Sequence, residues 1–189
     1  MLAFSRLTSI LFFLLSLGLL TYALPTESKA LVARGTGNDI LGLVVDLKAK
    51  VDVHVNAMVA VDTVAQLTTH VDALVADVNA CAKAVVAIGA NIEIDASIKA
   101  DLVVKIAAIV TAIVQVCVSI VAKFGVLVVL TLLAKIDICL QLLLVNLGVC
   151  VDGIIKLVAE IVVKLGVSVF ANVHLGLCIN VLGLIGLSL

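Results

Sequence analysis

The sequence predicts an all-helical protein: a bundle of about six amphipathic to hydrophobic helices following a cleaved signal peptide. Three patterns carry that prediction. Asp152, Lys156, Glu160 and Lys164 recur every four residues with alternating sign, which sets each beside an opposite charge on one helical face. Val64, Leu67, Val71, Leu74, Val78, Cys81 and Val85 advance in steps of three and four, the period of a helix with one buried face. Between Ser97 and Phe124, the residues Asp101, Lys105, Ala108, Ala112, Gln115, Ser119 and Lys123 mark one narrow, weakly polar stripe in an otherwise aliphatic segment.

The elements follow in chain order. Arg6 precedes an uncharged apolar run from Leu7 to Leu20, and Thr21-Tyr22-Ala23 then places a small residue at a cut position. This is the three-part pattern of a secretory signal peptide, with cleavage expected after Ala23. The run is also shorter than the ~20 residues a membrane span needs. Leu31-Val32-Ala33-Arg34 looks like a single-arginine site of kexin-type proteases. On that reading residues 24–34 are a pro-segment and 35–189 a single helical domain; an ordinary flexible N-terminus is the alternative for 24–34.

No glycine interrupts the chain between Gly42 and Gly89. One helix from Asn38 to Ile88 would be ~75 Å long at 1.5 Å per residue, so a break is expected near Val61. There Asp62 or Thr63 can cap and Gln66 can close a capping box. Gly89, Gly125, Gly148 and Gly166 cut the remainder into pieces of helical length. The third helix has Asp95 or Ser97 as its cap and ends at Lys123 and Gly125, a basic last turn followed by a glycine. The fourth spans Val126 to Leu147, with Thr131, Lys135 and Asn146 on one side and Asp137 and Gln141 displaced from it. The fifth spans Val149 to Leu165 and the sixth Val169 to Gly186. Lys48 to Asn56, Asn91 to Lys99 and part of Gly166 to Val181 alternate polar and apolar residues as strands do, and valine and isoleucine favour strands. Those patches are isolated, and turn signals do not recur at the spacing of a β-sandwich or barrel. A weak internal echo, Val121-Ala-Lys-Phe-Gly-Val against Val162-Val-Lys-Leu-Gly-Val, is explained by two similar helix ends.

Composition narrows function. The chain is 64% hydrophobic and 13% charged. Residues 35–189 hold nine lysines, twelve acids and no arginine, a net charge of −3, with Phe124 and Phe170 as their aromatics. Lacking a bidentate phosphate fork and a counterion-releasing surface, the chain is not expected to bind nucleic acid. Without tryptophan or tyrosine in that region there is no usual stacking platform for sugars or bases, and no interfacial aromatic belt. No asparagine glycosylation sequon occurs.

Cys81, Cys117, Cys139, Cys150 and Cys178 all lie in the mature region. Export would place them where disulfides form, so two disulfides with one cysteine left over are expected, without a pairing that the sequence selects. The left-over cysteine could join two chains. The alternative is five buried thiols acting as small apolar side chains. None has the paired spacing of a zinc site or redox dithiol.

Titratable chemistry is sparse. His54, His70 and His174 stand in separate segments, and Asp52 and Asp72 lie two residues from His54 and His70, off the shared helical face that a pair of metal ligands needs. Ser97, Ser119, Ser168 and Ser188 lack a nucleophile-elbow context, and no phosphate-binding glycine loop is present. The reading is a non-enzyme without metal or cofactor.

The mean hydropathy of +1.37 implies more apolar surface than one bundle buries along narrow seams. That surplus calls for an apolar partner: a lipid, a membrane, an apolar surface or interface, or a second copy of the chain. The alternative is a membrane-inserted multi-helix or pore-forming protein, with candidate spans Ile106 to Ala122, Ile138 to Val151 and Leu165 to Leu189. Lys123, Lys135, Asp137, Asp152, Lys156, Glu160 and Lys164 argue against it, since each charge at mid-membrane costs ~2.5–3.5 kcal/mol.

The leader, the Leu31-Val-Ala-Arg34 site and the segments Lys48 to Ala57, Asn79 to Ile88, Lys123 to Leu130 and Val145 to Val151 together resemble small secreted hydrophobic proteins of mushroom-forming fungi. The resemblance covers nearly the whole mature region and implies a secreted protein, at the cell wall or a membrane, with no catalytic residue to carry over. In its logic the chain is more distantly similar to fungal hydrophobic-surface-binding proteins, which are secreted helical bundles. It differs from them in being more apolar and in having five cysteines. It lacks the eight-cysteine framework of hydrophobins.

Overall fold

The structure is a computed structural model and describes residues 26–165 and 167–183, with side chains from 36 to 164 and from 169 to 183. Ala23, where the leader is expected to be cut, lies outside the described residues; Arg34 lies within the first helix. Seven α-helices are formed among the described residues: α1 Thr26–Ala60, α2 Val64–Ile88, α3 Ala96–Phe124, α4 Val126–Cys150, α5 Ile154–Val162, α6 Val167–Asn172 and α7 Gly176–Val181. A 3₁₀ turn, Val163–Leu165, extends α5. There is no strand among the described residues. The alternating segment Lys48 to Asn56 is helical, and Lys48 pairs with Asp52 one turn on.

The helices stack in three layers. The antiparallel hairpin α1–α2 lies over the hairpin α3–α4, with α1 along α3 and α2 along α4; α5, α6 and α7 cover the opposite side of α3–α4. The middle layer is therefore buried from above and below, which explains why α3 and α4 are the longest apolar runs in the chain. Its core includes Leu102, Ile106, Ile109, Ile113, Leu133, Ile136, Leu140 and Leu144, all essentially inaccessible. From the upper layer Leu67, Val71, Leu74, Val78, Cys81 and Val85, six of the seven members of the α2 apolar series, face the same interior.

The joints follow from local chemistry. The break expected near Val61 is present, with Thr63 as N-cap of α2 and its hydroxyl accepting from the Gln66 N–H. Lys123 supplies its ammonium to the Val61 carbonyl and to Asp62, satisfying the end of α1. Gly125, at φ +82° and ψ 144°, joins α3 to α4 in a conformation that side-chain-bearing residues avoid. The N–H groups of Asn91 and Ile92 donate to the carbonyls of Val149 and Cys150 at 3.0 and 2.7 Å, so the α2–α3 connection caps the last turn of α4.

Three expectations are corrected. Gly148 does not end α4: a Cβ there would stand 3.0 Å from Ile155, so the glycine marks a close approach of α5, and the helix continues to Cys150. The charge ladder is interrupted at its first member, because Asp152 sits in a turn with Gly153 at φ +69° and α5 begins only at Ile154. The Asp152 carbonyl is instead met by the Lys99 ammonium. The expected sixth helix is two short ones, α6 and α7, separated at Val173 to Leu175, where His174 adopts φ +56°.

Candidate functional site

Each helix of the middle layer has one lateral edge that neither covering layer reaches. On α3 that edge is the polar stripe read from the sequence. Asp101, Lys105, Gln115, Ser119 and Lys123 are exposed there, with Ala108 and Ala112 half-buried between them.

The corresponding edge of α4 is apolar. Leu127, Ile138, Leu142, Val145 and Val149 are exposed, and Thr131 and Ala134 complete the stripe. Their steps of three and four residues hold them on one face for the length of the helix. Leu127 is 86% exposed and Ile138 58%. The exposed cation of α4, Lys135, stands at the border of the stripe and is paired with Asp72 of α2 at 2.7 Å. Exposed apolar residues elsewhere are interspersed with polar ones: Val45, Val53 and Val59 of α1 with Asp46, Lys50 and Asn56, Val104 and Val118 of α3 with Lys105 and Ser119, and Leu157 and Ile161 of α5 with Lys156 and Glu160.

The one acid of α4 is buried. Asp137 is the single buried charged residue among the described residues, 4% exposed, and its two carboxylate oxygens accept from the N–H groups of Leu177 and Cys178 at 2.8 and 2.9 Å. Those N–H groups belong to the first turn of α7 and have no partner within the helix, so Asp137 acts as an N-cap supplied from another helix. The clamp holds the third layer against the second. Its sequence signal was the position of Asp137 off the polar side of an apolar helix, which marks a charge that must find partners inside.

The five cysteines are all buried free thiols. The expected disulfides are not formed, and the alternative, thiols used as small packing groups, describes their positions. Cys81 donates towards the Leu43 carbonyl, Cys150 towards Val85, Cys139 towards Ile136 and Cys178 towards Asp137. These four thus have a main-chain partner that suits a thiol, and Cys117 is fully buried among the apolar residues of the core. Burial pushes the Cys81 thiol up to about 11 and those of Cys117 and Cys139 up to about 12; Cys150 and Cys178 are raised too, by burial first and for Cys178 also by Asp137. None is a poised nucleophile at neutral pH.

A further feature joins α1 and α2. Asp77 receives Lys50 at 2.8 Å and His54 at 2.9 Å, which hold its carboxyl below the usual carboxylate range, while Asp77 holds Lys50 above its ordinary value. His54 thus faces Asp77 and not its sequence neighbour Asp52. Beside this cluster Leu43, Leu47, Ala49, Ala80 and Ala84 floor an open groove of about 500 Å³. Among the described residues no three His, Cys, Asp or Glu side chains converge on a point where a metal ion could sit.

Both α3 and α4 are long and apolar enough to cross a membrane. In the fold they form the middle layer, and 56% and 44% of their most apolar windows are buried. No family model, curated protein or solved structure matches the chain.

Proposed function

We infer that this is a secreted, non-enzymatic helical protein that binds lipid or another apolar surface through the outer edge of α4. The observation that carries the reading is the stripe from Leu127 to Val149, apolar at every position but Thr131. A stripe of this kind, where exposed apolar residues elsewhere are interspersed with charges, favours an apolar partner by ~25 cal/mol for each Å² removed from water. Secretion is supported by the leader pattern, and the setting by the resemblance to small secreted proteins of mushroom-forming fungi.

The same sequence features suit membrane insertion of α3 and α4, but about half of each helix's most apolar window is already buried in the middle layer. Insertion would also strip Asp137 from Leu177 and Cys178 and carry it into hydrocarbon, which costs several kcal/mol.

Flotation of the purified protein with liposomes, followed by carbonate extraction at high pH, tests the reading. Co-flotation released by carbonate is expected. Failure to float with any vesicle, together with no retention on an apolar solid surface, overturns it, and carbonate-resistant flotation replaces it with insertion.

A further inference from the structure

We propose that the outer edge of α4 docks on an uncharged lipid surface, with the helix axis lying along that surface. The proposal rests on the reading above and adds which lipid chemistry is recognised and how the protein is oriented.

Charge selects the class of surface. Helices that lie on anionic membranes border their apolar face with several lysines or arginines. Here Lys135 is neutralised by Asp72 at 2.7 Å, and Lys123, next to the start of the stripe, by Asp62 at 2.8 Å. On the adjoining helix α2, Lys83 is exposed as a single cation, whereas recognition of anionic headgroups uses clusters of about four to eight basic residues. No arginine follows Arg34. The face therefore offers an anionic headgroup almost nothing, and an uncharged surface faces no desolvation of unpaired lysines.

Size argues for a lipid over a second copy of the chain. From Leu127 to Val149 the stripe is ~33 Å long and ~10 Å wide, one helix across. That footprint falls well short of the ~800 Å² per partner that a stable protein interface buries. A fluid hydrocarbon boundary conforms to a single row of leucine, isoleucine and valine side chains without needing a complementary groove.

The chain has no tryptophan, so one introduced indole reports without background. Val145→Trp places it on the α4 edge and Gln115→Trp on the polar α3 edge. Both are titrated with phosphatidylcholine vesicles, with and without phosphatidylserine, at low and high salt, and with acyl-chain-brominated phosphatidylcholine as quencher. The expected result is a blue shift and quenching at position 145 only, with affinity for the two vesicle types equal within threefold and insensitive to salt. Adding Ile138→Glu to Val145→Trp is expected to weaken partitioning at least tenfold while the circular dichroism spectrum is retained.

Binding that requires phosphatidylserine, falls steeply with salt, or quenches position 115 as strongly as 145 overturns this inference and leaves lipid binding intact. Absence of binding to every vesicle overturns this inference and the lipid arm of the parent reading with it. A concentration-dependent dimer in sedimentation that Ile138→Glu abolishes, without vesicle binding, assigns the stripe to a second copy and overturns both.

Discussion

α3 and α4 are neighbours with the same mean hydropathy of 2.3 over their most apolar windows, yet they meet solvent in opposite ways. The α3 edge carries Asp101, Lys105, Gln115, Ser119 and Lys123 among its exposed valines, whereas the α4 edge carries leucine, isoleucine and valine with Thr131 as its polar member. The acids differ as well: Asp101 of α3 faces water, and Asp137 of α4 faces the interior, where it caps α7. Bulk hydropathy cannot separate a helix that is apolar because it is buried from one whose outer edge is apolar. The distinction appears only when each residue's position is known.

Substitutions can break or sharpen this contrast. The largest effect is expected inside α4. Asp137→Ala leaves two inward-facing N–H groups of α7 without an acceptor, and denaturant unfolding should show a loss of about 3 kcal/mol. Asp101→Ala on the exposed α3 edge should cost less than about 0.5 kcal/mol in the same assay. Next comes the joint between the two helices. Gly125→Ala forces a Cβ into a backbone region that only glycine occupies readily, and should cost ~2 kcal/mol in the same unfolding measurement.

Smaller still is the response of the upper layer to acid. Asp77 is held below its ordinary range by Lys50 and His54, so its contribution is full above the unfolded carboxylate value near ~4 and is lost as pH falls through its folded value. The melting temperature of wild type should drop in that acidic window more than that of Asp77→Asn. The smallest effect belongs to the ion pair at the edge of the α4 stripe. Lys135→Ala should change stability by no more than about 0.5 kcal/mol, because both partners are about half exposed. If it costs several times more, the pair holds α2 on α4 and is more than a neutralising border.

Much of the fold was legible because it rests on period and capping. The α2 seam, the Thr63 cap, the α3 stripe and the end of α3 at Lys123 and Gly125 all follow from local spacing. What was missed depends on contacts between distant segments. Gly148 reads as a helix end until Ile155 is placed against it. Asp152 reads as the first rung of a helical ladder until Gly153 turns the chain. The candidate site was legible only as a surplus of apolar residues. Nothing local tells Ile138, which is exposed, from Ile136, which is buried, because both belong to one aliphatic run and the assignment depends on where α2 and α7 lie. The cysteines were read through their expected compartment, while their positions follow from packing and from nearby carbonyls.

The layered arrangement also dictates an order of events during synthesis. α1 and α2 meet their partners only across long stretches of chain; Asp72 and Lys135 are 63 residues apart. At ~5–20 residues per second, the inner face of the first hairpin stays uncovered for several seconds before α4 is complete. The underside of α3 and α4 is covered later still, when Phe170, Val173, Leu175 and Cys178 arrive with the third layer. The nascent chain thus exposes apolar surface that the finished protein buries, until the third layer, from Ile154 onward, closes the underside of α3 and α4.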